Sequence, residues 1–214
     1  MGNIIRKNKF IFLIISLCLL IVTIFSSLVI IHDSLYIDSL VYEFLINNLR
    51  CDFVDSFMIN ITKLGDTNYV LLISGILFFI FLFSIKDKFI SFMFIFSVSA
   101  VAGINQGLKL IIKRDRPDIL RLVEIGGYSF PSGHAMVSTI LYGLIAYIVY
   151  KLVNRKWLRN FLVFINVLVI LLIGISRIYL GVHYFTDVFC GFLISGVFIV
   201  IIINILEKKC FSHN

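Results

Sequence analysis

Residues 183–206 read HYFTDVFCGFLISGVFIVIIINIL. From position 185 onwards the stretch is almost wholly apolar, and its length is close to the ~20 residues that a helix needs to cross a hydrocarbon layer of ~30 Å. His183 and Asp187 are four positions apart, so they share a face if the stretch is helical. A carboxylate in the first turn of an apolar helix is costly unless it has a partner. The stretch therefore predicts a transmembrane helix whose entrance carries a histidine and its orienting acid.

The composition extends this prediction to the whole molecule. Hydrophobic residues make up 60% and charged residues 14% of the 214 positions, and the mean hydropathy is +1.06. A soluble domain carries far more charge than this. We predict an all-α integral membrane bundle, a single domain over residues 1–214, with six transmembrane helices at about 10–31, 68–85, 89–108, 135–150, 160–176 and 185–206.

The longest segment outside these spans is residues 32–67. Leu40, Phe44 and Leu45 could share the apolar face of one short helix, and residues 53–63 could form a second. We expect one or two interfacial helices that lie along the outer surface of the membrane. A structural cover is favoured for this segment over contact with substrate.

The charges between the spans predict the orientation of the chain. If the amino terminus is inside, the inner segments hold eleven cations and two acids, and the outer segments hold eight cations and ten acids. The positive-inside rule then favours cytoplasmic amino and carboxyl termini in the cell membrane. The loops after the third and fifth spans both emerge on the outer face. The net charge of +7 is explained by this asymmetry, and no extended basic domain predicts a nucleic-acid partner.

A second polar cluster, Pro131-Ser132-Gly133-His134, opens the fourth predicted span. Ser132 can cap the helix, and Gly133 lets backbone N–H groups approach an anion at the positive helix terminus. His134 then stands at the mouth of an anion site, where a general acid could protonate a leaving alkoxide. Taken alone, the cluster could equally be an ordinary turn with an interfacial histidine.

Cations end the third predicted span. Lys109, Lys113 and Arg116 are spaced to share one face of a helix that Pro117 would stop. Arg supplies a bidentate fork and Lys a point charge, and both suit phosphate oxygens. The alternative is a cluster that snorkels to the membrane surface, and we favour it for three of the cations: Lys113, Arg114 and Arg121.

These clusters fall in the order KxxxxxxRP, PSGH and SRxxxxxHxxxD, the last beginning at Ser176-Arg177. Two histidines, a carboxylate and fixed cations suit phosphoryl transfer through a histidine nucleophile. The three-part pattern resembles the signature of the type 2 phosphatidic acid phosphatase family, which includes membrane lipid phosphatases and vanadium haloperoxidases. Beside these motifs, an anchoring role for the pair of His183 and Asp187 is the weaker interpretation.

The resemblance implies a role for each matching residue. His183 would attack phosphorus to form a phosphohistidine, and Asp187 would orient it. His134 would protonate the leaving group and later activate water. The resemblance further implies a phosphate cradle made of Lys109, Arg116, Ser132, Gly133 and Arg177.

Such enzymes need no divalent metal, and the sequence has no ligand cluster with metal-type spacing. We therefore expect no metal and no cofactor. The expected substrate is a lipid phosphate or diphosphate at the bilayer surface, and undecaprenyl diphosphate, phosphatidylglycerophosphate and phosphatidate all remain open.

Two alternatives are weaker than a lipid phosphatase. A haloperoxidase would use an equivalent anion site for vanadate, but its chemistry needs no membrane spans. An anion transporter or channel could use the same cations as a selectivity ring. Transporters usually place charges near the bilayer midplane and show repeats, and permeation gives no role to a nucleophile with an orienting acid.

Overall fold

The computed structural model describes residues 2–85, 87–119 and 121–210, and all regular structure in these ranges is helical. This confirms the predicted all-α class. Lys86, one of the predicted inner cations, lies outside the described residues. Eight α-helices follow one another: α1 Gly2–His32, α2 Tyr36–Leu49, α3 Asp52–Thr62, α4 Thr67–Ile80, α5 Lys88–Ile112, α6 Gly133–Leu152, α7 Lys156–Tyr179 and α8 Phe185–Cys210.

Two short irregular helices complete the described structure. A 3₁₀ turn, Lys63–Gly65, links α3 to α4, and a π-helical turn, Phe81–Ile85, extends α4. Five segments are long and apolar enough to cross a membrane: Lys9–His32 of α1, and helices α5, α6, α7 and α8. A sixth crossing is formed if Asp52–Gly65 and Thr67–Phe83, which meet at a 50° bend, act as one broken span. The predicted membrane bundle is confirmed with five to six crossings.

Helix α6 lies at the centre of the bundle and packs against α5, α7 and α8. Met136, Ile140, Leu141 and Leu144 recur at helical spacing along its length, and each is at most 1% exposed. Helix α1 packs on α8 at the periphery, and most of its described side chains face outward. The amino-terminal ends of α6 and α8, which carry motif residues, therefore belong to the packed part of the bundle.

Helix α5 ends earlier than the sequence predicts. Lys113 adopts the left-handed conformation, with φ of 53°, and its N–H donates to the Lys109 carbonyl. Residues 114–116 follow in a non-helical segment. The predicted shared helical face of Lys109, Lys113 and Arg116 is therefore wrong. The left-handed residue turns the chain, so that Arg114 and Arg116 are buried while Lys113 is exposed.

The segment between α1 and α4 packs closely on the bundle. Helix α3 lies against α7, where the Tyr179 hydroxyl donates to Asp55 of α3. Helix α2 contacts α7 and α8, and Leu45 of α2 is buried whereas Phe44 is exposed. The predicted short helices are both present, and they are fixed to the helices that carry the third motif.

Close packing of α7 on α8 predicts the effect of one substitution. A Cβ at Gly174 of α7 would overlap the ring of Phe192 and lie 2.9 Å from Val188 Cγ1, both on α8. Overpacking of this kind costs about 1–3 kcal/mol. Gly174→Ala should therefore lower the thermal unfolding midpoint of the protein in detergent.

Gly196→Ala is the matched control, because a Cβ at Gly196 meets no atom within 4 Å. Alanine has the higher helix propensity, so this variant should be neutral or slightly more stable. Equal midpoints for the two variants would contradict the packing described.

Candidate active site

His183 and Asp187, which the sequence predicts to be partners, meet at the amino-terminal end of α8. His183 lies in the loop between α7 and α8 and is 3% exposed. Its Nδ1 is 3.4 Å from Asp187 Oδ2, an oxygen that also accepts the Tyr184 N–H at 2.9 Å. The carboxylate thus faces one nitrogen of the ring and leaves the other for chemistry.

The second ring nitrogen of His183 faces a cation. Nε2 is 3.3 Å from Arg116 Nη1. Because a guanidinium can only donate, Nε2 is the acceptor and Nδ1 carries the ring proton toward Asp187. Burial, and then the positive charges of Arg177 and Arg116, hold the pKa of His183 well below its ordinary value of 6.5. His183 is therefore neutral with a lone pair on Nε2, as a nucleophile requires.

Arg116 is held in place by backbone carbonyl groups. Its Nη1 donates to the Val182 carbonyl at 2.7 Å, and its Nε donates to that of Gly127 at 2.9 Å. Lys109 of α5 donates to the Tyr128 carbonyl at 2.6 Å. The loop between α5 and α6 therefore fixes both predicted cations of the first motif from one side.

Arg177 retains an unused donor. Its Nη1 donates to Thr62 Oγ1 at 2.7 Å, and the whole residue is only 2% exposed. The Nε is buried without a hydrogen-bond partner among the described residues. A buried unpaired donor costs about 1–3 kcal/mol, so a hydrogen-bond acceptor placed beside this atom would remove that cost.

The second motif begins α6 as predicted. Ser132 is the N-cap, and its hydroxyl accepts the Ala135 N–H at 3.4 Å. The Ser132 N–H donates to the Asp187 carbonyl at 3.1 Å, which joins the second motif to the third. There is no space for a side chain at Gly133, because a Cβ there would lie 2.9 Å from Asn105 Oδ1. The start of α6 is thus packed directly against α5 and α8.

The position of Arg114 differs most clearly from the one that the sequence predicts. We expected it to snorkel to the membrane surface, but its side chain is fully buried. It donates to Asp187 Oδ1 and, at 2.7 Å, to Asp38 Oδ2. It further donates to Thr186 Oγ1 at 2.8 Å, and its guanidinium lies 3.8 Å from the centre of the Tyr184 ring. Ion pairs with two carboxylates therefore stabilise the guanidinium more than solvation at the membrane surface would.

Asp38 and Asp66 belong to the segment of residues 32–67, for which we favoured a structural cover over contact with substrate. Asp38 of α2 accepts from the backbone and the hydroxyl of Thr186, both at 2.8 Å. Asp66, between α3 and α4, lies 2.8 Å from Nε2 of His134. The segment therefore contacts site residues directly. Asp38 lies outside the predicted spans, and no sequence signal separates it from the other acids of this segment.

A cavity of about 400 Å³ lies between α4, α5 and α6. It brings together five of the predicted site residues and continues along an apolar wall, whereas Ser132 and Asp187 are completely buried behind it. Its polar end is lined by Lys109, Arg116, Gly133, His134 and His183, and its apolar wall by Val70, Leu71, Val98, Ala102 and Val137.

Arg177 lies outside this cavity. It lines a smaller one of about 200 Å³, together with Asp66 and Glu124. In the described part of the chain, no group of three His, Cys, Asp or Glu side chains is placed to hold a metal ion. The charged and imidazole side chains that line the cavity between α4, α5 and α6 are two cations and two histidines, which are suited to an anion.

Comparison with known proteins agrees with this arrangement. The model of the PAP2 superfamily matches residues 90–210. The chain belongs to the PAP2 superfamily. The family predicted from the three motifs is thereby confirmed. Asp38 and Asp66 both lie outside the region that the PAP2 model covers, so the family pattern alone does not point to either.

One curated PAP2 relative is phosphatidylglycerophosphatase B of Bacillus subtilis (strain 168), which is 40% identical over 107 residues. The match covers 50% of this chain and 52% of the relative, so the chain spans about half the length of that protein. Two solved structures match a larger share of this chain.

A transmembrane PAP2-type phosphatidylglycerolphosphate phosphatase from Bacillus subtilis superposes with a TM-score of 0.83 at 28% identity, over 91% of this chain and 96% of that one. Aquifex aeolicus LpxE superposes with a TM-score of 0.62, also at 28% identity, over 81% of this chain and 98% of that one.

The buried position of Arg114 predicts a large loss of stability on substitution. Arg114→Gln leaves the carboxylates of Asp38 and Asp187 buried without their cation, and breaking a buried pair in this way costs about 3–5 kcal/mol. The thermal unfolding midpoint in detergent should fall sharply. Lys113→Gln is the control, because Lys113 is the exposed neighbour and surface changes stay within about 0.5 kcal/mol. Similar midpoints would restore the snorkelling interpretation.

Proposed function

We propose that the protein is an integral membrane phosphatase that hydrolyses a lipid phosphate or diphosphate through a phosphohistidine intermediate, without a metal ion. The observation that carries the proposal is the cavity in which His183, His134 and two cations meet an apolar wall. A phosphate group fits the cationic end, and a hydrocarbon chain fits the wall. The PAP2 family and the phosphatase relatives support the same reaction class.

The first chemical step is attack of His183 Nε2 on phosphorus. Asp187 accepts the hydrogen bond from Nδ1 and stabilises the positive charge that the ring acquires as the P–N bond forms. His134 gives a proton to the leaving oxygen as the P–O bond breaks. His134 then removes a proton from water, and the oxygen of that water displaces His183 and releases inorganic phosphate.

The cations stabilise the charge on the transferring group. Lys109 and Arg116 line the cavity, and Arg177 supplies its unpaired Nε from the adjoining side. The backbone at the start of α6, capped by Ser132 and opened by Gly133, adds the partial positive charge of a helix terminus. Because the donors are held by carbonyl groups and packing, little reorganisation accompanies the reaction.

The apolar wall supports a lipid substrate, and three lipids fit this chemistry: phosphatidylglycerophosphate, phosphatidate and undecaprenyl diphosphate. The first corresponds to the named activity of the curated relative. No observation favours the haloperoxidase or the anion channel. The cations lie at one end of the bundle, beside a histidine with an orienting carboxylate, an arrangement that permeation does not require.

The proposed orientation places the site on the outer face of the cell membrane, with both termini in the cytoplasm. The asymmetry of eleven inner cations against two inner acids supports it. The starts of α6 and α8 both carry motif residues, so one orientation applies to the whole site.

His183→Ala should abolish turnover while leaving the protein folded, because the covalent step needs the imidazole. We expect a loss of at least ~10³-fold, the scale on which removal of a nucleophile acts. The measurement is phosphate release by the purified protein in detergent with EDTA present. The panel should contain the three lipids and a soluble phosphomonoester, so that the preferred substrate is identified in the same assay.

His32→Ala is the control, since His32 is exposed at the end of α1 and should leave turnover unchanged. Substantial activity in His183→Ala would exclude the phosphohistidine. Loss of wild-type activity with EDTA, restored by magnesium, would exclude the metal-free reaction.

The orientation predicts which positions an impermeant thiol reagent labels in intact cells. In a background without the exposed Cys51, Glu124→Cys in the α5–α6 loop should be labelled. Asn154→Cys in the α6–α7 loop should be labelled only after the membrane is permeabilised. Both positions are exposed on the protein, so the bilayer alone distinguishes them. The reverse labelling pattern would place phosphate release in the cytoplasm.

A further inference from the structure

We propose that Asp66 is a positioning residue for His134: its carboxylate holds the proton on Nε2, so that Nδ1 is the atom that exchanges a proton with the leaving group and then with water. This inference rests on the proposed function, in which His134 is the general acid. It adds a second histidine–carboxylate pair to the pair formed by His183 and Asp187.

The contact between Asp66 and His134 is short and joins distant parts of the chain. Asp66 Oδ1 lies 2.8 Å from His134 Nε2, across 68 positions of sequence. Asp66 lies in the α3–α4 elbow, which we define as residues 62–67. Its side chain is 45% exposed, whereas that of His134 is 16% exposed. The carboxylate therefore approaches the imidazole from the solvent side.

The elbow is shaped to receive this ring. A Cβ at Gly65 would lie 2.9 Å from Cδ2 of His134 and 3.0 Å from Ile173 Cγ2. The ring thus turns its Cδ2–Nε2 edge to the elbow, and its opposite edge carries Nδ1 and Cε1. His134 also lines the cavity between α4, α5 and α6, together with His183. Nδ1 is therefore the nitrogen left for the reaction.

The charges around His134 explain why a carboxylate is needed. Arg177 of α7 and Lys109 of α5 both act on the ring electrostatically, and His183 of the α7–α8 loop lines the same cavity as His134. Nearby cations disfavour an imidazolium, and a nearby anion favours it. Among these groups Asp66 alone is an anion, so it supports the protonated form that a general acid needs at the start of each cycle.

The proton balance closes over the two steps. His134 begins with a proton on each nitrogen, and Nδ1–H passes its proton to the leaving alkoxide as the P–O bond breaks. The ring thereby becomes neutral, with its remaining proton on Nε2 held by Asp66. In the second step the Nδ1 lone pair takes a proton from the attacking water, while the P–N bond to His183 breaks. Both histidines return to their starting forms.

The test compares two leaving groups in Asp66→Asn. A lipid monophosphate releases an alkoxide that must be protonated, whereas a nitrophenyl phosphate with an alkyl chain of similar length releases a stable phenolate. General acid catalysis contributes roughly 10²–10⁴-fold. Because Asp66 only assists the general acid, its loss should remove part of this contribution. In Asp66→Asn we expect kcat/KM to fall about 10–100-fold for the lipid and less than about 3-fold for the aryl ester. The ratio kcat/KM is used because it reports only the steps up to departure of the leaving group.

The pH profile supplies a second readout. With the carboxylate removed, the basic limb of kcat/KM for the lipid should move to lower pH, since the imidazolium then loses its proton more easily. Glu124→Gln is the matched control, because Glu124 lines the same small cavity as Asp66. This variant should keep the wild-type values for both substrates and the wild-type profile.

Three outcomes overturn the inference. An equal loss on both substrates would make Asp66 a structural residue, and unchanged kinetics on both would remove any role. If Glu124→Gln gives the same result as Asp66→Asn, the kinetic effect comes from the loss of any negative charge near the site and is not specific to Asp66. The variant His134→Ala separates this inference from the proposed function. If His134→Ala is selective for the alkyl ester and Asp66→Asn is not, only the role of Asp66 fails. An equal loss on both substrates in His134→Ala removes the general acid itself.

Discussion

The buried charge of Arg114 is the constraint on which the arrangement of the site depends. A guanidinium with no solvent exposure is tolerated only if its donors are matched, and its partners come from three separate parts of the chain. Asp38 is supplied by α2, Asp187 by α8, and the Asp33 carbonyl by the turn after α1. Helix α5 must therefore end before Arg114, and α2 must lie against α8. The loop that carries Arg116 is placed as a consequence.

This constraint determines how the orienting acid functions. Asp187 is held by Arg114 through one oxygen and by the Tyr184 N–H through the other, so the oxygen that faces His183 has little freedom. In the proposed mechanism, a nucleophile held in this way would meet phosphorus in a defined direction, which is the positional part of catalysis. His134 is held differently, by a half-exposed carboxylate on the α3–α4 elbow. The rigid pair thus lies inside the bundle, and the accessible pair lies at its edge.

The segment of residues 32–67 connects the two pairs. Asp38 contacts Arg114 and Thr186, and Thr62 of α3 contacts Arg177. The sequence predicts short helices here but assigns them to a covering role, because an amphipathic pattern reports burial and carries no information on distant partners. The PAP2 match begins after this segment, so the family pattern alone does not point to the carboxylates that the segment contributes.

The sequence by itself determined the helical membrane class and the family. Long apolar runs can only be satisfied in a membrane as helices, and the three motifs place two histidines, an acid and cations at the ends of such runs. Ser132 as a helix cap and the pairing of His183 with Asp187 are local, because both depend on spacings of three or four residues. Only the tertiary structure decided that Arg114 is buried and which residue His134 contacts. Both depend on contacts across 68 to 81 positions, and a local pattern cannot show whether a cation will find water or a buried carboxylate.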